Sequence, residues 1–348
     1  MTRYKISVIV PTYNSGLFLN SFMDSMMYQS IGFENIQIIF VDDNSTDEYT
    51  LSLLKLFEEN YSNVKSILLD ENSGFPGKGR NIGIDSSDAD YVIFSDHDDT
   101  YMPNSFEVMY NTISENDADF VITNYYKVFG DEKVKVESVF GNEHVHVNDF
   151  KDDLRLFSLD PSIWTKIFKK QFLIDNNIRF LEGMLAEDLY VFVVSLVKSK
   201  STIYLADFYS YNYYIRNVEG NKSTIHIRSA KYLYKMIEGY RKVNEFLEEN
   251  NLQEYYSDVF RLHFVYWLTS LILSDLSNDD KEFLIKNIND LFKKQLEIAG
   301  GFDEKIYGSL YEPILNDDYN KIVKNINSIK LKRNIVGFFS NKFKKSSS

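Results

Sequence analysis

Residues 91–100, "YVIFSDHDDT", join an apolar run directly to an acidic cluster. The first four side chains are strand-forming, and Asp96, Asp98 and Asp99 follow almost at once. A short apolar run bounded by polar residues is typical of a buried strand. Carboxylates at the end of such a strand need a cation or hydrogen-bond donors nearby, because burying an unpaired charge is costly. This stretch therefore predicts a polar site at the end of a core strand.

Three other apolar runs end in the same way. The predicted strands are residues 5–10, 36–41, 64–69 and 91–94, and helical segments such as 49–60 separate them. Strands that alternate with helices indicate βαβ units and a parallel sheet, in which ligands bind beyond the carboxyl ends of the strands. The polar segments at these ends are Thr12–Asn14, Asp42–Asp43, the glycine loop 71–81 and Asp96–Asp99. We expect them to converge on one crevice.

The remaining sequence divides into a sheet part and a helical part. Further strands are predicted at residues 120–126, 164–168 and 203–214, and residues 130–148 indicate a hairpin or a mobile loop. From about residue 227 apolar residues recur at helical spacing. We predict an α/β domain over residues 1–222, with a mixed, mainly parallel sheet flanked by helices, and an α-helical domain over residues 223–348.

Composition excludes several classes of protein. The 348 residues carry a formal net charge of -13, whereas general nucleic-acid binding needs a basic surface. The absence of cysteine excludes disulfides and thiolate metal sites. No window approaches the length of a membrane span, and Pro11 interrupts the first apolar run too early for a signal peptide. The sequence therefore predicts a soluble, cytoplasmic protein that does not bind nucleic acid.

The acidic cluster admits two interpretations. The simpler interpretation is a solvent-exposed turn that binds nothing, because acidic turns commonly face water. An EF-hand loop fits poorly, because it needs glycine at its sixth position and Tyr101 stands there. Mg²⁺ or Mn²⁺ takes one or two carboxylates together with phosphate oxygens of a substrate. Since Asp96 and Asp98 are two residues apart, a turned backbone can present both to one such ion, and we favour this interpretation.

The loop "NSGFPGKGRN", residues 72–81, is typical of phosphate or nucleotide handling. Its glycines match neither the P-loop nor the dinucleotide-binding spacing. Lys78 and Arg80 can meet phosphate or carboxylate charge. A flexible surface turn is an equally good interpretation of this loop taken alone.

Five stretches together resemble family 2 glycosyltransferases. In chain order they are "SVIVPTYNSGLFL", "VDDNSTD", "NSGFPGKGRNIG", "FSDHDDTYMP" and "FLEGMLAEDLYVF". The resemblance covers about residues 5–215 and implies the GT-A fold with inverting, nucleotide-sugar-dependent transfer. The glycine loop and the helical second half are most similar to bacterial wall teichoic acid and capsule glycosyltransferases.

The resemblance implies a role for each matching residue around the nucleotide. The residues implied to bind it are Pro11, Tyr13, Asn14, Asp43, Lys78, Arg80 and Asp96. Among them, Asp43 corresponds to the residue that hydrogen-bonds uracil, and Arg80 to a basic residue near the nucleotide or its diphosphate. Asp42, the neighbour of Asp43, either contributes to the same contact or has a structural role instead.

The resemblance also implies a metal site and a base. Asp96 and Asp98 correspond to a D-x-D motif that holds Mn²⁺ or Mg²⁺, with Asp98 the direct ligand and His97 a spacer. Glu187 and Asp188 correspond to a catalytic acidic pair in which Asp188 is the general base. An N-terminal helix cap is the alternative role for this pair, because acidic residues suit that end of a helix.

The function implied is transfer of a sugar from a UDP-sugar to a hydroxyl of a cell-surface glycopolymer or glycan. A nucleotidyltransferase and a non-catalytic carbohydrate-binding module of the same fold are the alternatives. The helical domain is expected to bind acceptor or to form a homo-oligomer; Phe264, Tyr266 and Trp267 are oligomer contacts or core. The basic tail, residues 330–348, is expected to touch anionic lipid at the inner membrane face or to be a solvated helix end.

Overall fold

The computed structural model describes the backbone of residues 3–218, 221–222 and 228–345, and the side chains of residues 3–216 and 228–333. The chain divides into two compact units, Met1–Ser223 and Thr224–Ser348. The first unit is built on a β-sheet and the second on helices. Within the described ranges, none of the helices combines the length and the apolar character that crossing a bilayer requires.

Ten strands of the first unit form one sheet. They are β1 Ile6–Thr12, β2 Ile36–Asp42, β3 Val64–Leu68, β4 Tyr91–Phe94, β5 Thr100–Tyr101, β6 Phe120–Phe129, β7 Glu132–Lys135, β8 Val145–Val147, β9 Lys166–Lys169 and β10 Thr202–Tyr214. Their order is β3-β2-β1-β4-β9-β6-β10-β5, with β7 beside β6 and β8 beside β10. Two short strands, β11 Asn217–Val218 and β12 Asn221–Lys222, pair separately.

The sheet is mixed, as predicted. Strands β1 to β4 are parallel to one another, and Ile6 of β1 lies between Ile36 of β2 and Tyr91 of β4. Strand β9 runs antiparallel between β4 and β6, and β6 is parallel to β10. Strand β7 folds back on β6 as the hairpin expected after residue 130. The carboxyl ends of β1, β2, β3 and β4 therefore meet at one edge of the sheet.

Six helices flank this sheet. They are α1 Phe18–Met27, α2 Glu48–Asn60, α3 Gly77–Ser86, α4 Ser105–Glu115, α5 Lys170–Asp175 and α6 Glu187–Lys198. On one face, Phe22 of α1, Phe57 of α2 and Met109 of α4 share a core cluster with Val8 and Phe40 of the sheet. Because side chains alternate along a strand, neighbouring residues such as Ile9 face the opposite layer, where α3 packs.

Helix α3 starts inside the glycine-rich stretch and packs closely through its glycines. A Cβ added at Gly83 would lie 2.1 Å from Ile9 Cγ2, and one at Gly77 would lie 2.2 Å from the Leu181 carbonyl oxygen. Both distances are shorter than any real contact, so only glycine permits this approach. These two glycines therefore serve packing, which fixes the place of Arg80 in the same helix.

The described residues of the second unit form five α-helices, and this helical character confirms the prediction. They are α7 Ala230–Glu249, α8 Tyr256–Leu273, α9 Asn278–Ala299, α10 Glu304–Leu315 and α11 Tyr319–Lys345. Phe264 and Trp267 are fully buried in its core, whereas Tyr266 is 39% exposed. Most of the basic tail lies outside the described side chains, so its contact with lipid stays a prediction.

Candidate active site

Asp42, the last residue of β2, ties together the ends of the first two strands. Its carboxylate accepts hydrogen bonds from Thr12 Oγ1 (3.0 Å), from the Ser45 N–H (2.8 Å) and from Ser45 Oγ (2.6 Å). The residue is fully buried. These internal bonds agree with the structural alternative for Asp42.

Asn14 links the loop after β1 to the loop after β2. It has a positive φ of 48°, which asparagine tolerates better than most residues. Its Oδ1 accepts from the N–H groups of Thr46 (2.9 Å) and Asp47 (3.0 Å). Its neighbour Tyr13 is 46% exposed and free to meet a ligand face. Asn14 thus shapes the loop that presents Tyr13.

Asp43 connects β2 to the glycine-rich stretch. Its carboxylate oxygens accept from the N–H groups of Ser73 (2.8 Å) and Gly74 (3.1 Å). The side chain of Asn72 donates to the Asp43 main-chain oxygen (2.9 Å). Gly74 has a φ of 79°, a conformation that favours glycine. The half-buried Asp43 carboxylate is therefore fixed at the edge where the strands end.

Arg80 gathers three carboxylates from two distant segments. Its Nη1 donates to Asp188 Oδ1 (2.6 Å) and Glu187 Oε1 (3.1 Å), and its Nη2 donates to Asp96 Oδ1 (3.1 Å). Its side chain is only 3% exposed and its Cζ lies 5.1 Å from the centroid of the Phe180 ring. Burial alone would lower the pKa of Arg80, and the three carboxylates together raise it above its ordinary value. The end of β4 and the start of α6 therefore meet at one guanidinium.

This geometry shows which charges Arg80 meets. The sequence left phosphate and carboxylate open as its partners, and the resemblance implied the nucleotide or diphosphate. The guanidinium holds carboxylates, the acidic residues of the site itself. Lys78, half-buried in the first turn of α3, makes no hydrogen bond or ion pair with any side chain that the structure describes. Of the two cations in this stretch, Lys78 is the one available to a ligand.

Glu187 and Asp188 are adjacent acidic residues at the start of α6, and Arg80 offsets part of their negative charge. Burial raises the pKa of Glu187 to about 7, and the adjacent Asp188 raises it while Arg80 lowers it. Burial also raises the pKa of Asp188, against the lowering effect of Arg80. The Asp188 side chain retains 24% exposure and that of Glu187 only 8%. Asp188 is thus the member of the pair that a substrate can reach.

The backbone before this pair is strained. Ala186, which precedes α6, has a φ of 63° although it is not glycine. Such conformations are uncommon and concentrate at functional sites. The acidic pair also occupies the positive end of the helix dipole. The pair thus lies in the first turn of α6 without capping it, since the N-cap residue is Ala186 and no side chain donates or accepts a cap hydrogen bond there.

The acidic cluster after β4 can hold a divalent cation. One carboxylate oxygen from each of Asp96, Asp98 and Asp99 lies within 4.8 Å of the others. An all-oxygen donor set of this kind suits Mg²⁺ or Mn²⁺. Asp99 is fully buried, accepts from Tyr211 Oη (3.1 Å) and the Tyr214 N–H (2.8 Å), and has a pKa raised by burial. Asp96 and Asp98 are therefore the accessible ligands of the three, and they fit the cation.

His97 and Arg216 complete the surroundings of this cluster. His97 Nδ1 donates to the Pro11 carbonyl oxygen (3.3 Å), so the residue between the aspartates also joins β4 to the end of β1. Arg216 pairs with the Asp98 carboxylate and donates to the Asp98 main-chain oxygen (3.0 Å). Sequence reasoning did not select Arg216. The one sequence feature that could have pointed to it is its position just after the tyrosine-rich strand β10.

Sequence reasoning also missed a main-chain donor to Asp188. The Ile163 N–H donates to Asp188 Oδ2 (3.3 Å), while Arg80 occupies the other oxygen. Ile163 begins a short 3₁₀ turn, Ile163–Thr165, that leads directly into β9. The carboxylate is thereby held from two sides, by a guanidinium and by a main-chain donor.

Comparison with known proteins identifies the first unit. Residues 7–173 match the family model described as glycosyl transferase family 2. The chain carries a glycosyl transferase family 2 domain. All the motifs that gave the resemblance, apart from the Glu187–Asp188 segment, fall within the matched residues.

Two curated relatives extend the likeness of this family 2 domain. The chain is 32% identical over 212 residues to a poly(ribitol-phosphate) beta-glucosyltransferase of Bacillus spizizenii, an alignment that covers 61% of this chain and 32% of the relative. It is also 32% identical over 213 residues to the poly(ribitol-phosphate) beta-N-acetylglucosaminyltransferase TarP of Staphylococcus aureus, covering 61% of this chain and 62% of TarP. The chain thus spans less than two thirds of the length of these relatives.

A solved structure confirms the fold of the family 2 domain and of the helices after it. The crystal structure of S. aureus TarS 1-349 in complex with UDP-GlcNAc has a TM-score of 0.73 at 23% identity. The match covers 94% of this chain and 92% of that chain. The GT-A fold with a helical C-terminal part, which the resemblance implied, is therefore confirmed.

Proposed function

We propose that the chain transfers a sugar from a UDP-sugar to a hydroxyl of a teichoic-acid-type or related cell-surface glycopolymer, with inversion at the anomeric carbon. One observation carries this proposal: Arg80 joins Asp96, a member of the cation-capable cluster, to the buried acidic pair at the start of α6. A site for a charged leaving group and a site for a base thereby lie together. The names of the two curated relatives support the substrate class.

Asp188 is the proposed general base. Its raised pKa brings the carboxylate closer to the range in which a base can accept a proton near neutral pH. One oxygen is held by Arg80 and the other by the Ile163 N–H, so the carboxylate has a fixed orientation. Glu187, with a pKa of about 7, adds a second group that changes its charge near neutrality. Deprotonation of an acceptor hydroxyl at Asp188 makes its oxygen the nucleophile.

The nucleotide is proposed to bind at the ends of the first strands. Asp43 is fixed by Ser73 and Gly74 in the orientation proposed for contact with uracil. The exposed Tyr13 offers a ring for stacking, and Pro11 and Asn14 shape the loop that carries it. Lys78 is proposed to meet the diphosphate. Arg80 then acts on the nucleotide only through the carboxylates it holds, which narrows the role first implied for it.

Asp98 and Asp96 are the residues proposed to hold Mn²⁺ or Mg²⁺. When bound, such an ion supplies Lewis-acid stabilisation of the charge on a diphosphate leaving group. Arg216 holds the Asp98 carboxylate and main-chain oxygen, and so orients this ligand. Asp99 contributes through its bonds to Tyr211 and Tyr214, which anchor the cluster to β10.

The proposal also gives a role to the helical unit and a location to the chain. The helices after residue 223 are proposed to bind the acceptor or to associate with other copies, and Tyr266 is the exposed member of the aromatic trio first considered for this. The chain is proposed to act in the cytoplasm. Contact of the basic tail with the inner membrane face stays a prediction.

The test measures UDP release and product mass. The chain is incubated with Mn²⁺, poly(ribitol phosphate) and a panel of UDP-sugars that begins with UDP-glucose and UDP-N-acetylglucosamine. We expect UDP release that depends on the acceptor, and a polymer that gains the mass of one sugar per substituted unit. Sugar binding without any UDP release would instead favour the non-catalytic module. Stronger thermal protection by UTP than by UDP would favour the nucleotidyltransferase.

A further inference from the structure

Lys166, the first residue of β9, is fully buried close to the proposed base. Its Nζ donates to the main-chain oxygens of Asp160 (2.9 Å) and Ser162 (2.7 Å) and to Thr165 Oγ1 (3.2 Å). An ammonium group has three donors and no acceptor, so all of them are used. Lysine is almost never fully buried unless it is paired. A fully satisfied buried ammonium therefore marks a segment whose shape depends on it.

The segment that Lys166 organises is residues 160–165. Asp160 Oδ1 accepts from the N–H (3.0 Å) and the Oγ (2.5 Å) of Ser162, and its Oδ2 accepts from Tyr125 Oη (2.6 Å). The turn is thus closed around one cation and one carboxylate. Burial lowers the pKa of Lys166 to about 8 against the raising effects of Asp160 and Asp188.

Lys166 also touches the helix that carries the base. Its Nζ lies 4.6 Å from the centroid of the Phe192 ring, within cation–π distance. Phe192 follows Asp188 by one turn of α6, so the two side chains share a face of that helix. The same segment 160–165 supplies the Ile163 N–H that bonds Asp188. Lys166 therefore contacts both the donor segment and the helix on which the base stands.

We propose that Lys166 is a positioning residue for Asp188: it holds the Ile163 N–H against the Asp188 carboxylate and packs that segment on α6. The inference rests on the proposed function, since it assigns Asp188 the role of base. The charged groups that face Asp188 are Arg80, Glu187, Asp96 and Lys166. Burial raises the pKa of Asp188, Arg80 lowers it, Asp96 raises it, and the Ile163 N–H and Lys166 lower it.

The test compares Lys166→Met and Lys166→Arg with the control Lys170→Met. Lys170 Nζ donates to the main-chain oxygen of Ser87 (2.7 Å), which makes it a lysine bound to a carbonyl in another part of the same unit. For Lys166→Met we expect kcat to fall roughly 10²-fold, because a small displacement of a catalytic group is enough for such a loss. KM for the UDP-sugar should stay near that of the wild type. Lys170→Met should keep the wild-type kcat.

The pH profile separates positioning from a general structural role. Without the positive charge and the fixed N–H, the pKa of Asp188 rises, so the acid limb of kcat should move to higher pH in Lys166→Met. Lys166→Arg keeps the positive charge, so the acid limb of its kcat profile should lie at the wild-type pH. A kcat and a pH profile equal to those of the wild type in Lys166→Met would overturn the proposal.

Ile163→Pro tests the same contact without changing Lys166. Ile163 opens its 3₁₀ turn, where proline is tolerated, and the preceding Ser162 has a ψ of 123°, outside the α region that a following proline disfavours. The substitution removes the N–H that bonds Asp188. The acid limb should move in the same direction as in Lys166→Met. Should Lys166→Met fail to fold, this variant decides: an unmoved limb overturns the proposal.

Amide hydrogen exchange gives a readout that needs no activity. In Lys166→Met we expect the Ile163 amide to lose protection while the amides of β1 and β2 keep theirs. If the wild type transfers no sugar from any donor, the proposed function fails, and the exchange result alone decides whether Lys166 holds this contact. Unchanged protection of Ile163 would contradict it.

Discussion

Arg80 and Arg155 make similar contacts in different surroundings. Arg80 bonds Asp96, Glu187 and Asp188 and lies over Phe180. Arg155 bonds Asp153 (2.6 Å) and Glu143 (3.1 Å), and its Cζ lies 4.4 Å from the centroid of the Phe140 ring. The side chain of Arg80 is 3% exposed, however, and that of Arg155 is 45% exposed.

The difference shows that similar contacts have different consequences when the guanidinium is buried. Around Arg155, hydrogen bonds from the guanidinium lower the pKa of Asp153, as in an ordinary ion pair. Around Arg80, burial raises the pKa values of Glu187 and Asp188 in spite of the same kind of partner. Of the two clusters, the buried one therefore contains a carboxyl group, Glu187, with a pKa of about 7, near neutral pH.

Asp188→Asn should have the largest effect. The asparagine oxygen can still accept from Arg80, but the side chain cannot take a proton. We expect kcat for sugar transfer to fall by about 10²- to 10⁴-fold, while calorimetric titration shows UDP binding with Mn²⁺ unchanged. The matched change in the exposed cluster, Asp153→Asn, should leave kcat as in the wild type. Transfer by Asp188→Asn within tenfold of the wild type would remove Asp188 from the mechanism.

Arg80→Gln should have the next largest effect, on stability. Removing one partner of a buried ionic group leaves charges without compensation and costs about 3–5 kcal/mol. Scanning calorimetry at pH 7 measures the loss. At pH 5 the loss should be smaller, because the raised pKa of Glu187 leaves that group protonated there. An equal loss at both pH values would show that packing against Phe180, and not charge, makes Arg80 necessary.

Glu187→Gln should have a moderate effect whose sign depends on pH. The pKa of Glu187 is about 7 in the folded chain, against an ordinary value of about 4.3 in the unfolded one. Between these values the folded state binds more protons, so this group's contribution to stability falls as pH rises through the interval. Glutamine removes that dependence while its carbonyl still accepts from Arg80.

Above pH 7 we expect Glu187→Gln to be more stable than the wild type by on the order of 1–3 kcal/mol, and near pH 4.5 to be about equal. Thermal unfolding between pH 4.5 and 8 measures the difference. Asp153→Asn, the counterpart beside Arg155, should show no such trend across neutral pH, because hydrogen bonds from Arg155 lower the pKa of Asp153. A difference between wild type and Glu187→Gln that does not change with pH would contradict the raised pKa.

Much of the fold followed from local patterns in the sequence. Apolar runs alternating with helical segments predicted the strands β1 to β4, and the polar residues after them do meet through short-range bonds. Thr12 reaches Asp42, Asp43 reaches Ser73, and His97 reaches Pro11. These relations are predictable because the carboxyl ends of parallel strands lie at one edge of the sheet.

The roles of the cations could not be predicted, because tertiary contacts set them. The sequence could not decide between phosphate and carboxylate as partners of Arg80, since Glu187 and Asp188 lie far along the chain. The loop 72–81 indicated phosphate or nucleotide handling, whereas the constraint that the structure puts on its Gly77 is the close approach of the Leu181 carbonyl oxygen. Arg216 and Lys166 belong to no motif.

Arg155→Gln should have the smallest effect and is the strictest check on the comparison. Exposed ion pairs gain little, because water screens the charges and both side chains lose conformational freedom. The substitution removes two carboxylate contacts, as Arg80→Gln removes three, so a stability that followed the number of contacts would fall for both variants. Because burial decides instead, we expect the calorimetric midpoint of Arg155→Gln to lie within the scatter of replicate wild-type scans at both pH 5 and pH 7. A drop comparable to that of Arg80→Gln would show that the exposed cluster is structurally equivalent to the buried one, and that the proton-exchanging character of the Arg80 site needs a cause other than its burial.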